Sequence, residues 1–160
     1  MMFLNKIKLF LVISICLIFF FLTYFDVKSS ELKIIDGDTI HLNGEKIRFS
    51  GIDTPEIKQK CTKNNEVIMC GIQAKELLIN KIENNKINCV REGKDQYKRT
   101  LAECFVNDLS LSSYLVKSGY AFAYRKYSNK FIKDEDFARS NELGMWSMNF
   151  EYPWDWRKKN

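Results

Sequence analysis

The stretch ELKIIDGDTIHLNGEKIRFSGIDTPE, residues 31–56, alternates short β-rich runs with residues that favour tight turns. Leu32 to Ile35 and Thr39 to Leu42 flank Asp36-Gly37-Asp38, and Asn43-Gly44 joins the second run to Glu45 through Phe49. Asn-Gly between such runs is the strongest short-range hairpin signal, because the favoured turn needs positive φ at both central residues. Arg48 and Asp53 then fall five residues apart on what reads as one strand, and strict alternation would send them to opposite faces. Gly51 lies between them and is the natural place for a bulge or bend that turns both toward one site.

Outward from this stretch, Gly71 to Asn84 places Ala74, Leu77, Leu78 and Ile82 on one face, the pattern of an amphipathic helix on a core. Lys86 to Arg91 and Thr100 to Val106 read as a second hairpin around the charged loop Glu92 to Arg99. Ser110 caps a short helix that runs to Ser118 and is terminated by Gly119. In the aromatic stretch that follows, Tyr120, Phe122 and Tyr124 alternate as core residues do. Asp134, Glu135 and Asp136 open a last helix at the positive end of its dipole, and Gly144 is expected to close it. Trp146, Trp154 and Trp156 are expected to fasten the tail. Short strands interleaved with helices predict an α+β domain on a small closed or nearly closed barrel.

The chain has 160 residues, 46% of them hydrophobic, which suits one core and one domain over residues 31–160. Lys6 and Lys8 precede an apolar run from Leu9 to Phe25, the layout of a signal peptide or a membrane anchor over residues 1–30. Removal near Ser29 and retention in a membrane through residues 9–25 both stay open. Setting Lys6, Lys8 and Lys28 against Asp26 lowers the net charge from +5 for the whole chain to +3 for the rest. That balance allows a polyanionic partner without demanding one. Cys61, Cys70, Cys89 and Cys104 behind an export signal favour two disulfides. Cys61–Cys70 brackets one polar loop and Cys89–Cys104 falls on consecutive strands, so these pairings are preferred. A zinc site is disfavoured, since no C-x-x-C pair exists and His41 is the single histidine.

Asp36-Gly37-Asp38-Thr39 joins two strands and Asp53-Thr54-Pro55-Glu56 ends a later one, so several carboxylates converge where strands end. Carboxylate and carbonyl oxygens are hard ligands suited to Ca²⁺. Each motif alone also reads as an ordinary turn or a helix start. Arg99, at the end of Asp95-Gln96-Tyr97-Lys98-Arg99, can reach toward a bound phosphate.

Together, Ile35 through Thr39, Arg48 through Glu56, and Asp95 through Arg99 resemble the staphylococcal nuclease family in order and spacing, from about Glu31 to the carboxy terminus. The four cysteines and the tail Pro153-Trp154-Asp155-Trp156-Arg157 look like an exported bacterial branch of it. The resemblance implies a five-stranded OB-fold β-barrel with three helices, preceded here by the amino-terminal apolar segment. It implies a calcium-dependent endonuclease that hydrolyses DNA and/or RNA and leaves 3′-phosphates. Asp38 and Asp53 would be carboxylate ligands and Thr54 would offer its backbone oxygen. Arg48 and Arg99 would clamp the scissile phosphate, with Glu56 as general base and Asp36 behind the ligands. Tyr97 and Tyr127 would meet the substrate. A monomer, periplasmic, secreted or membrane-anchored, is expected.

Two positions depart from the family pattern: Lys98 stands where a glycine is usual, and Arg125 where a tyrosine lies near the base pocket. The competing readings are a non-catalytic OB-fold module that binds nucleic acid and an envelope interaction protein. Arg48, Glu56 and Arg99 together favour the enzyme.

Overall fold

The computed structural model describes residues 31–160, so the signal-or-anchor segment lies outside the described residues. Turn chemistry sets the first half. Strand β1 (Leu32–Ile34) runs antiparallel to β2 (Thr39–Leu42), and β2 to β3 (Glu45–Phe49). Asn43 and Gly44 link the latter pair with φ of 53° and 81°, as the Asn-Gly signal requires. Gly51 takes φ of 72° and bends the chain into the two-residue strand β4 (Ile52–Asp53). Its neighbours therefore escape strict alternation.

The next loop holds a hairpin that the sequence reading passed over. Strands β5 (Cys61–Lys63) and β6 (Glu66–Ile68) pair across Asn64 and Asn65, whose φ values are 51° and 66°. Asparagine tolerates the left-handed region better than most residues. A Cys61–Cys70 disulfide closes this hairpin onto helix α1 (Cys70–Ile82). Helix α1 buries Ala74, Leu78 and Ile82 on its expected apolar face.

Strand β7 (Ile87–Lys94) pairs antiparallel with β8 (Thr100–Val106), and the second disulfide joins the directly opposed Cys89 and Cys104. Strand β8 also runs parallel to β3, giving the mixed order β1-β2-β3-β8-β7, with the short β9 (Leu109–Ser110) on β8. Ser110 Oγ accepts the Ser113 N–H at the start of α2 (Leu111–Lys117), as its capping position predicts. Strand β10 (Phe122–Ala123) returns to pair with β4.

Helix α3 (Ile132–Ser140) carries Asp134 and Glu135 in its first turn. Its end differs from expectation. Glu142 takes the left-handed conformation at φ 51°, and the Leu143 N–H returns to the Ala138 carbonyl at 2.9 Å. Gly144 instead begins a 3-10 turn through Ser147. A fourth helix, α4 (Pro153–Lys159), forms from the tail, with Pro153 in its first turn, where the missing N–H is not needed. The fold is thus α+β, with four α-helices among the described residues where three were expected.

One core gathers Ile40, Ile47, Phe49, Leu78, Leu111 and Leu115 between the sheet and helices α1 and α2. A second forms around Phe122 and Met145 and takes in Tyr152 and Trp154 of the tail. Gly71 lets α1 pack directly on the loop that follows β4, because a β-carbon there would sit 1.8 Å from the Glu56 carbonyl oxygen. Among the described residues, no helix is long and apolar enough to cross a membrane.

Gly71→Ala should therefore destabilise the protein by about 1–3 kcal/mol or more through overpacking, read from denaturant unfolding. An unchanged midpoint would contradict this close approach. Thiol titration of the folded, oxidised domain should find Cys61, Cys70, Cys89 and Cys104 unreactive, and reduction should remove about 2–4 kcal/mol per bridge.

Candidate active site

Asp38 sits at the entry to β2 and Asp53 ends β4, and both carboxylates are buried. The bend at Gly51 lets Arg48 reach both. Its Nη1 pairs with Asp38 Oδ1, and its Nη2 donates to Asp53 Oδ1 at 2.7 Å. Thr39 Oγ1 donates to Asp38 Oδ1 at 3.0 Å, and the Thr54 N–H donates to Asp38 Oδ2 at 3.1 Å. Asp36 stands behind, accepting the Asp38 N–H at 3.0 Å.

Arg157 in α4 approaches from the other side. Its Nη2 donates to Asp53 Oδ2 at 2.6 Å, and its Nη1 lies 3.2 Å from Asp53 Oδ1 and 2.7 Å from Glu56 Oε1. Sequence reasoning treated this tail as packing and assigned Arg157 no part in the site. Gln59, fully buried, was missed as well. Its Oε1 accepts the Glu56 N–H at 3.2 Å and its Nε2 donates to the Glu151 carbonyl at 2.6 Å. This buried amide, bonded at both ends, ties the Glu56 loop to the tail beside the Arg157–Glu56 pair.

Burial raises the Asp38 carboxyl to about 6; Arg48 pulls it down and Asp36 pushes it up again. Burial raises Asp53 too, against the hydrogen bond from Arg157 and despite the nearby Arg48. Arg157 is held above its ordinary range: burial opposes its charge, but the bonds to Asp53 and Glu56 outweigh that. Asp36, Asp38, Asp53 and Glu56 face two guanidiniums, so the cluster retains a formal charge of −2. That is the charge of one divalent cation. Two carboxylates and the Thr54 carbonyl are the hard oxygen set that calcium accepts, and the poorly solvated charge on Asp38 is what a bound cation would relieve. Among the described residues, no three His, Cys, Asp or Glu side chains form a metal cluster, so such an ion would rely on the carbonyl and on water.

Arg99 is not joined to this group. Its Nε donates to Asp95 Oδ2 at 2.7 Å, and its guanidinium lies over the Tyr97 ring at 5.5 Å. Burial pushes the Asp95 carboxyl up, but the bonds from Arg99 prevail and hold it below its usual range. In the parallel register Arg99 comes just before Thr100, the partner of Ile47, and two residues before Leu101, the partner of Arg48. Lys98 meets the demand of the glycine position by taking φ of 63°, with its N–H on the Asp95 carbonyl at 3.0 Å. Tyr97 and Tyr127 are both strongly exposed, and Tyr127 rests edge-on against Tyr124 at 4.9 Å. Arg125 pairs with the buried Glu135, which also accepts the Ala123 N–H at 2.9 Å.

Residues 46–148 match the family model described as staphylococcal nuclease homologue, a span that includes Arg48, Asp53, Thr54, Glu56 and Arg99. A protein of Haemophilus influenzae named an uncharacterized endonuclease is 29% identical over 136 residues, covering 80% of this chain and 71% of its own length. A staphylococcal-like nuclease of Arabidopsis thaliana is 31% identical over 116 residues, 71% of this chain but 33% of the plant protein. With more than half of its length matched, the chain belongs to the staphylococcal nuclease family.

Proposed function

We propose that this protein is a calcium-dependent endonuclease acting on DNA and/or RNA. The observation that carries this reading is the buried Asp38–Arg48–Asp53 group, which together with Asp36 and a half-exposed Glu56 keeps a formal charge of −2 against Arg48 and Arg157. The names of the nuclease relatives agree with it. The five strands on the path β1-β2-β3-β8-β7 support the OB-type barrel as part of the proposal. Two disulfides suit an oxidising compartment, so the proposal includes export.

Asp38, Asp53 and the Thr54 carbonyl would hold calcium. When bound, the ion supplies neutralisation of charge on the phosphate oxygens. Glu56 accepts a proton from the water that attacks phosphorus, and the bond to the 5′-oxygen breaks, that oxygen taking a proton from solvent. Arg48, by exchanging its bonds to Asp38 and Asp53 for phosphate, steadies the charge that gathers on the non-bridging oxygens, and its planar fork suits two oxygens at once. Arg99 joins it by exchanging Asp95 for phosphate. Tyr97 and Tyr127 offer exposed ring faces to bases, a sequence-tolerant contact.

Incubation of the full-length protein with single-stranded DNA and RNA should give cleavage with calcium, little with magnesium and none with chelator. Glu56→Gln should slow cleavage by about 10²–10⁴-fold with nucleic-acid binding largely kept. Cleavage at the wild-type rate by both Glu56→Gln and Arg99→Met would remove these two residues from the catalytic machinery, and wild-type protein that binds nucleic acid without cleaving it would make the binding module the better reading. A second expectation concerns pH in the presence of chelator. Asp38 rises from its ordinary 3.8 to about 6 on folding, so the folded state holds a proton that the unfolded chain has lost across that window. Stability from this group is complete below the window and is lost as pH rises through about 6. Asp38→Asn should gain stability relative to wild type between about pH 4 and pH 7, on the order of a few kcal/mol. A gap that does not change with pH would contradict the burial-raised carboxyl of Asp38.

A further inference from the structure

We propose that Arg157 is a positioning residue of this site, holding Glu56 against Asp53 in the orientation that the reaction uses. The inference rests on the nuclease reading and extends it to the tail. Arg157 spans both carboxylates with one planar group, at 2.6 Å to Asp53 Oδ2 and 2.7 Å to Glu56 Oε1. It is the ion-pair partner that fixes the Glu56 carboxylate, whose side chain is otherwise 36% exposed.

The tail is built to deliver this guanidinium. Tyr152 stacks on Trp154 at 4.6 Å, Trp154 stacks on Tyr124 at 5.8 Å, and Phe122 packs edge-on against both tail rings at 5.1 Å and 6.0 Å. Phe122 is itself the strand partner of Asp53. Gln59 fixes the Glu56 backbone and the Glu151 carbonyl with one amide, so the base and the root of α4 share a buried anchor. Surface ion pairs alone contribute little, but a bidentate bond to a buried carboxylate holds its geometry.

A positioning role and a merely structural role differ in sign at one point. Removing a cation beside Asp53 should tighten calcium binding by electrostatics, while freeing Glu56 should slow turnover. Loss of fold would weaken both. The test compares full-length wild type, Arg157→Gln and Arg157→Lys by calcium titration calorimetry without nucleic acid, by melting, and by kcat and KM on a single-stranded oligodeoxynucleotide. Arg157→Gln should bind calcium more tightly, keep KM near wild type and lose kcat by about 10–100-fold, the scale of a misplaced catalytic group. Arg157→Lys should recover part of kcat, because an ammonium can hold one carboxylate but not both. Unchanged kcat, a rise confined to KM, or weaker calcium binding together with slower turnover would each overturn the proposal. Wild-type protein that neither binds calcium nor cleaves would instead remove the nuclease reading beneath it.

Discussion

Burying Asp38 and Asp53 within reach of a single guanidinium is the constraint on which the rest of this structure depends. Two desolvated carboxylates repel each other, and burial raises the pKa of both. Arg48 offsets part of that cost from within the same strand system, and Arg157 offsets more from the carboxy-terminal helix. An interior ion group of this kind is weak evidence for stability by itself. Its residual negative charge has a use if it holds a cation that in turn attracts an anionic substrate.

Fold and site are linked through short, specific contacts rather than through bulk. The Gly51 bend carries Asp53 toward Arg48, and the β4–β10 pairing ties Asp53 to Phe122 in the aromatic cluster. Gly71 allows helix α1 to touch the Glu56 carbonyl, and the Cys61–Cys70 bridge holds the same helix start to the hairpin beside it. Changes at any of these positions would reach the carboxylates through backbone displacement, with no substrate contact of their own.

Local chemistry made much of this readable in sequence. Asn43-Gly44 declared its hairpin because few other dipeptides accept two positive φ values, and Gly51 declared its bend for the same reason. Arg48, Asp38, Asp53, Thr54 and Glu56 could be placed together once that bend was granted. The Asn64-Asn65 hairpin was hidden because its strands, Cys61–Lys63 and Glu66–Ile68, show little apolar alternation. The end of α3 was misplaced because Glu142 took the left-handed position that glycine usually holds. Arg157 and Gln59 were out of reach for another reason. The contacts that define them span 101 residues to Glu56, 104 to Asp53 and 92 between Gln59 and Glu151, and no local pattern encodes such a meeting.

Strand-end carboxylates, paired arginines and a glutamate beside them can serve phosphodiester hydrolysis, and the direction of bond cleavage leaves a permanent chemical record. The most direct measurement is therefore the end-group analysis of an oligonucleotide cut by the full-length protein in calcium. Fragments that carry a 3′-phosphate, removable by a phosphatase, and a new 5′-hydroxyl are the predicted result. Intact oligonucleotide, or fragments with 3′-hydroxyl and 5′-phosphate ends, would contradict the account.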